Sequence, residues 1–244
     1  MKWREFSDRF LVVRKCAGCG EILPYERCYE AFCTTCQLRW RVAKTENCEN
    51  CFRPAFECTC SPKGLSATGA LCLRKLIFYR AERSREAENQ LIYGMKHRPN
   101  RRKADFVAEE LSEAVREELS ILGVTEPERD AVIVSIPRGQ KARIRYGFDQ
   151  SELISRSLSK KTGIPYVTAI GRRRGGKEQK KLSRDHRFRN IRHLFRLRDR
   201  NAVCGKCVLL FDDVVTSGAS MAAGVNLLRE AGANCVICLC IAQD

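Results

Sequence analysis

Apolar positions recur along this chain in two rhythms, and their alternation predicts the fold class. Leu71–Tyr79, Ala131–Pro137, Ile164–Ile170, Val208–Val215 and Asn234–Ala242 are short, strongly apolar runs, each predicting a buried strand. Between them, Glu82–Lys96, Asp105–Leu119, Ser151–Lys161 and Ala219–Ala231 carry apolar residues at helical spacing. Phe106, Val107, Leu111, Val115 and Leu119 fall in register on the second of these, and Leu153, Ile154 and Leu158 on the third. Gly163 and Gly232 stand where two of the helices should stop. Strands alternating with helices predict an α/β domain whose parallel sheet is covered on both faces. No run approaches the roughly 18 consecutive apolar residues of a membrane span. Met1–Phe6 lacks the apolar core of a secretory leader, so the expectation is a soluble cytoplasmic protein without membrane insertion.

The first sixty residues lack this rhythm and are marked by cysteine instead. Nine of the 15 cysteines lie between Cys16 and Cys60. In a reducing compartment that density argues for metal rather than disulfides. Cys16/Cys19, Cys33/Cys36 and Cys48/Cys51 are each spaced by two residues, and Cys58/Cys60 by one. Two intervening residues allow a tight turn that aims both sulfurs at one tetrahedral ion. Consecutive pairing predicts Cys16, Cys19, Cys33 and Cys36 around a structural Zn2+. Cys48, Cys51, Cys58 and Cys60 would hold a second, with a crossed pairing as the alternative and Cys28 left over. Four thiolates close a site and leave no position for catalysis. So short a segment cannot build an adequate core alone, and metal would supply its folding energy. Ser61-Pro62-Lys63-Gly64 marks a turn, dividing the chain into a zinc module over 1–62 and an α/β domain over 63–244. Cys204, Cys207, Cys235, Cys238 and Cys240 sit in or beside predicted strands and are expected as small core residues.

Charge adds a partner class. Lys+Arg number 45 against 29 Asp+Glu, a net +16. Between Gly171 and Arg200, thirteen cationic residues face only Glu178, Asp185 and Asp199. That asymmetry points to a polyanion. Lys177, Lys180, Lys181, Arg184 and Arg187 lie in this stretch. Arg138, Lys141, Arg143 and Arg145 form a second basic run, and Lys96–Lys103 a third. Tyr146, Phe148, Phe188 and Phe195 are interleaved as candidate base-stacking groups, although core packing is the commoner role of each taken singly.

The strongest chemical signal follows the strand Val208–Val215. It ends in Asp212 and Asp213 and continues through Val214, Val215, Thr216, Ser217, Gly218, Ala219 and Ser220 into an Ala-rich helix. In open α/β sheets ligands bind beyond the carboxyl ends of strands. Backbone N–H groups at a helix start, with three hydroxyls, cradle a phosphate without needing a cation. The two carboxylates suit vicinal hydroxyls, and phosphate plus diol implies a ribose 5-phosphate. Carboxylates there would also stabilise positive charge developing on the sugar during displacement at its anomeric carbon. A solvated acidic pair before an N-cap hydroxyl is the structural alternative.

This segment resembles the PRPP signature of the type I phosphoribosyltransferases, with Ser217 and Ser220 in place of threonines. More of the chain resembles the ComF family: the cysteine module, Leu91–Arg98, Ile136-Pro137-Arg138, Arg145–Leu153, and Gln179–Phe195. The family pattern Arg-Gly-Phe-Asn-Gln-x-Glu-Leu is interrupted here by Tyr146, and Asp149 replaces its Asn. The resemblance implies a zinc-bearing phosphoribosyltransferase-like fold that binds PRPP with Mg2+ and single-stranded DNA during DNA uptake in transformation, with protein partners in that process. On that expectation Asp212 through Ser220 and Arg138 contact PRPP. Asp212 and Asp213 would be catalytic if phosphoribosyl transfer occurs, while Arg143, Arg145, Lys177, Lys180, Lys181, Arg184 and Arg187 contact DNA. The rival expectations are a metabolic phosphoribosyltransferase acting on a small base, and a regulator that only senses PRPP.

Overall fold

Six strands and eight α-helices organise the described residues 13–80, 86–97, 99–173 and 194–244 of the computed structural model. In chain order the strands are β1 (Leu73–Phe78), β2 (Ala131–Ser135), β3 (Ile170–Arg172), β4 (Phe195–Leu197), β5 (Cys207–Val215) and β6 (Cys235–Gln243). The helices are α1 (Thr34–Lys44), α2 (Lys63–Ser66), α3 (Ala87–His97), α4 (Arg101–Ile121), α5 (Pro127–Asp130), α6 (Gln140–Tyr146), α7 (Gln150–Thr162) and α8 (Ala219–Glu230). The main sheet runs β1-β6-β5-β2, parallel throughout. The fold is therefore α/β around a parallel sheet, as the alternating rhythm implies.

Each strand divides its side chains between two cores because successive residues point to opposite faces. Ile133, Leu209, Phe211, Ile237 and Leu239 belong to one core with Val107, Leu111 and Val115 of α4 and Ile154 and Leu158 of α7. Val132, Val134, Val208, Leu210, Val236 and Cys238 belong to the other, with Met221, Val225 and Leu228 of α8. Burial on both faces is why these strands read as continuous apolar runs.

Connectivity then creates an opening. From β5 the chain crosses through α8 and returns as β6 on one side. From β2 it crosses through α7 to Tyr166, which bridges in parallel to Ile133 on the other side. Two neighbouring strands whose connections leave toward opposite faces cannot both be roofed at their carboxyl ends. The crevice beyond β2 and β5 is thus the topological switch point.

The cysteine-rich segment is fused to this framework. Phe32 and Trp40 are fully buried and meet Phe106 of α4 edge-on, with ring centroids 5.2 and 5.4 Å away. Trp40 Nε1 donates to Glu110 Oε2 at 3.1 Å, and Lys44 Nζ reaches the same oxygen at 2.6 Å. Arg102, from the third basic run, donates to the Cys28 carbonyl at 3.1 Å.

Three expectations need correction. The run Ile164–Ile170 is not one strand: only Tyr166 bridges to β2, and Ile170 begins an antiparallel pair, β3 with β4. Apolarity marks burial there, but the partner strand lies across a long insertion that local pattern cannot reveal. Cys204 is exposed in a turn before β5 rather than packed in the core. The helix expected over Asp105–Leu119 starts earlier, at Arg101, because Asn100 caps it by accepting from Lys103 N at 3.1 Å.

Arg74 on β1 is 5% exposed and splits its guanidinium between Glu118 at 2.9 Å and the largely exposed Glu117 at 2.6 Å. Truncating it strands the buried Glu118 carboxylate. Arg74→Ala should therefore cost about 3–5 kcal/mol, whereas Glu117→Ala should cost at most about 1 kcal/mol. Denaturant unfolding of both variants checks this, and equal losses would contradict the assignment of the buried pair.

Candidate functional site

The switch-point crevice is lined from three elements. At the end of β5, Asp212 Oδ1 accepts from the Asp213 N–H at 3.0 Å, and Asp213 Oδ1 accepts from Val214 N–H at 2.9 Å. Asp212 and Asp213 are each half-buried as whole residues. Thr216 and Ser217 are exposed, Ser220 is half-buried, and Val215 and Ala219 are packed below them. Gly218 adopts φ +74°, a left-handed conformation that favours glycine, and forms the N-cap of α8 without any side-chain cap. The first turn of α8 therefore presents backbone donors and the positive end of the helix dipole, surrounded by three hydroxyls. That combination takes an anion.

The second wall is the turn after β2. Arg138 follows Pro137, and its guanidinium lies 4.8 Å from the Tyr146 ring centre and 5.7 Å from that of Phe148. The third wall is the start of α7. Asp149 is buried and caps that helix, accepting from Ser151 N at 3.1 Å and Glu152 N at 3.4 Å through Oδ1, while Oδ2 accepts from Arg138 N at 2.7 Å. One carboxylate thus ties the β2 turn to α7. Ser151 Oγ then donates to Asp212 Oδ1 at 3.4 Å, which closes the ring of contacts back to β5.

Charge in this crevice is one-signed at its floor. Burial, followed by the negative charge of Asp213, pushes Asp212 well above the ordinary carboxylate range, and Asp149 adds to the effect. Burial also raises Asp149, against the lowering pull of the Arg138 and Glu152 N–H groups. A floor of crowded carboxylates beside an uncapped helix start favours a ligand bringing hydroxyls or a cation to one end and an anion to the other.

Arg138 is tied through its N–H to Asp149 and Asp212 through Ser151 to the same helix start, while residues 214–220 run on from β5 into α8. Arg143 and Arg145 are exposed on α6, and Arg145 lies 5.4 Å from the Tyr146 ring. Lys177, Lys180, Lys181, Arg184 and Arg187, with Phe188, lie outside the described residues. Phe195 is 1% exposed in the second core and is unavailable for stacking on a base. Residue patterns alone do not reveal the tie through Asp149. Asp149 before the α7 periodicity signals an N-cap, but its bond to Arg138 N spans eleven positions and has no local signature.

Both cysteine sets converge. The sulfurs of Cys16, Cys19, Cys33 and Cys36 lie within 4.8 Å of one another, and so do those of Cys48, Cys51, Cys58 and Cys60. The Cys19–Cys33 and Cys51–Cys58 separations are both 3.7 Å. Sulfurs at the vertices of a tetrahedron around an ion about 2.3 Å away stand roughly 3.8 Å apart, so the donor sets fit a closed thiolate site. Burial opposes ionisation of Cys16, yet N–H groups of Cys33, Cys19 and Gly18 bring it down to about 7. Burial and neighbouring sulfurs drive Cys36 upward. The second set behaves alike, with Cys48 at about 7 and Cys60 pushed up to about 12 by burial and its neighbours. Each set could hold a metal ion, and a divalent cation would let all four sulfurs ionise together.

A phosphoribosyl transferase domain model matches residues 110–244, and the chain belongs to that family. The DNA utilization protein YhgH of Escherichia coli (strain K12) is 37% identical over 121 residues, covering 48% of this chain and 51% of that protein. Competence protein F of Haemophilus influenzae is 31% identical over 102 residues, covering 41% and 44% respectively. The similarity to these two relatives supports the resemblance to the ComF family. The chain spans about half the length of the curated relatives it matches. A solved glutamine PRPP amidotransferase from B. subtilis is similar at 22% identity and a TM-score of 0.37, over 56% of this chain and 25% of that one. No helix among the described residues is long and apolar enough to cross a membrane.

The raised Asp212 carboxyl has a measurable consequence. The folded chain holds its proton more tightly than the unfolded chain does. The resulting stability is complete below the unfolded value near ~3.9 and is lost as pH rises through the folded value. In magnesium-free buffer, Asp212→Asn should therefore be more stable than the parent at neutral pH, by about 2–4 °C in Tm per 1 kcal/mol relieved. The gap should narrow on acidification. Thermal melts of both proteins across pH 5 to 8 check this, and a gap independent of pH would contradict it.

Proposed function

We propose that this protein binds PRPP at the β5–α8 loop and single-stranded DNA on the adjoining basic surface, and acts in DNA uptake. The observation that carries the reading is the Asp212–Ser220 segment, whose carboxylates and uncapped helix start stand one loop apart at the switch point. The α8 start and the hydroxyls of Thr216, Ser217 and Ser220 take the 5-phosphate. Asp212 and Asp213 take the ribose hydroxyls, directly or with Mg2+, and Arg138 faces the pyrophosphate. If phosphoribosyl transfer occurs, the same two carboxylates support positive charge on the ribose ring as pyrophosphate departs. A Mg2+ ion held with PRPP would offset the charge of the departing pyrophosphate. Zinc in the two cysteine sets is structural, giving a zinc module over 1–62 on a phosphoribosyltransferase-type domain over 63–244.

The nucleic-acid half of the reading is supported by the net +16 charge and by exposed Arg143 and Arg145 beside the Arg138–Tyr146 stack. Cations in this number exceed what one pyrophosphate needs, and stacked Arg and Tyr suit unpaired bases. Lys177, Lys180, Lys181, Arg184 and Arg187 add five further cations in the sequence between β3 and β4. The names of the relatives, a DNA utilization protein and a competence protein, support a role in handling incoming DNA.

The two ligands separate by mutation. Asp212→Asn with Asp213→Asn removes charge-assisted bonds to the ribose hydroxyls, each worth about 1.5–3 kcal/mol. PRPP–Mg2+ affinity should fall at least about tenfold, with single-stranded DNA affinity unchanged. Arg143→Ala with Arg145→Ala should leave PRPP affinity in place and reduce the salt slope of single-strand binding by about 0.7 per lost phosphate contact. Calorimetry with PRPP and DNA titrations over a salt series read both. Undiminished PRPP binding by the Asp variant would overturn the ribose-phosphate assignment.

A further inference from the structure

The second cysteine set touches the phosphate loop's foundations in two places. The first is Lys75 on β1, which is 1% exposed. Its ammonium donates to the Cys60 carbonyl at 2.7 Å, to Cys58 Sγ at 3.1 Å and to the Cys58 carbonyl at 3.3 Å, and lies 5.7 Å from the Phe78 ring centre. Among the described residues it has no carboxylate partner. A buried ammonium without a counter-charge is strongly unfavourable. Four thiolates around a divalent ion carry an excess of two negative charges, and they are the nearest compensation on offer. Lys75 also lies beside Cys240 on β6, which lies beside Asp212 on β5, so the ammonium and the first site carboxylate share one row of the sheet.

The second contact is steric. Leaving Cys60, the chain passes through Ser61 and sets Pro62 on the backbone of the phosphate loop. A Cβ placed on Gly218 would lie 3.3 Å from both Pro62 Cβ and Cγ, and 3.4 Å from Leu65 Cβ. Leu65 is fully buried in the core under α8. Thr59, between the last two cysteines, accepts from Leu73 N at 3.3 Å, which fastens the set to β1. Pro62 is therefore held between a four-sulfur centre and the one loop residue that needs a left-handed backbone.

We infer that the Cys48/Cys51/Cys58/Cys60 centre, acting through Lys75 and Pro62 as positioning residues, holds the Thr216–Ser220 loop in its anion-binding shape, so that metal in this centre and phosphate at the loop bind cooperatively. The ligand half of this inference rests on the PRPP reading above. Coupling of binding free energies is reciprocal. Losing this metal weakens PRPP binding, and PRPP slows release of this metal, while the Cys16/Cys19/Cys33/Cys36 centre is unaffected.

The test uses the full chain and the variants Lys75→Met and Pro62→Ala. Amide hydrogen exchange without ligand compares 216–220 with β6 as internal reference. Both variants should exchange at least about tenfold faster in the loop with β6 unchanged, the pattern of local rather than global opening. Lys75→Met should also surrender one of two metal ions to a chromophoric chelator faster than the parent, and PRPP should slow that release in the parent. Pro62→Ala should keep both ions yet bind PRPP about tenfold more weakly. Parental loop exchange in Pro62→Ala, or in Lys75→Met after it has lost one ion, overturns the inference. Should Lys75→Met fail to fold, Pro62→Ala decides alone, since it keeps every sulfur and the ammonium. A parent that binds no PRPP refutes the PRPP reading instead, and the exchange data still judge the coupling.

Discussion

Crowding carboxylates at the end of an apolar strand is electrostatically unfavourable, and much of the surrounding structure answers to that constraint. Asp212 stands at the limit of a run buried on both faces, with Asp213 next to it in sequence and Asp149 contributing across the crevice. The backbone N–H groups of Asp213, Val214, Ser151, Glu152 and Arg138 all turn toward one of these three side chains. Those donors offset part of the charge but leave Asp212 raised. A site in this condition is matched to a ligand with hydroxyl donors or an accompanying cation. On the reading proposed above, the same arrangement would set stability against binding at Asp212.

The cysteine-rich segment is a part of the same problem rather than an appendage. Its aromatic residues share a core with α4, and its last two cysteines are bonded to a lysine inside the sheet. A separate module would need only a linker at Pro62. Here Pro62 is instead a contact of the loop glycine. The turn that reads in the sequence as a boundary is thus a point of mechanical contact between the two halves.

Local rhythm made much of this legible. β5, its two carboxylates, the hydroxyl loop and α8 are contiguous, so their pattern of burial and hydrogen bonding is written in one stretch of chain. The two cysteine sets were legible for the same reason, since each half-site is a short local step. What the residues did not disclose depends on pairing across long separations. β3 meets β4 over an intervening stretch of basic sequence, and the Asp149–Arg138 bond joins two loops. Lys75 stands in a run that reads as apolar, and only the fold brings Cys58 and Cys60 against it. Cys204 resembled a core residue because it precedes a buried strand, but the turn faces it outward.

The position of β6 has a consequence for how the molecule comes to exist. Among the described strands it comes last in chain order yet lies inside the sheet, between β1 and β5. Leu73 pairs with Cys238 and Phe78 with Gln243, so the edge of β1 that faces the sheet waits for β6 before it is hydrogen-bonded. During synthesis β1 and β5 leave the ribosome with a gap between them, and neither can be closed by its neighbour. Topologies dominated by such distant pairings fold slowly and expose apolar edges while they wait. Metal-filled cysteine turns, complete within the first sixty residues, would give the nascent chain an ordered seed long before its sheet can form.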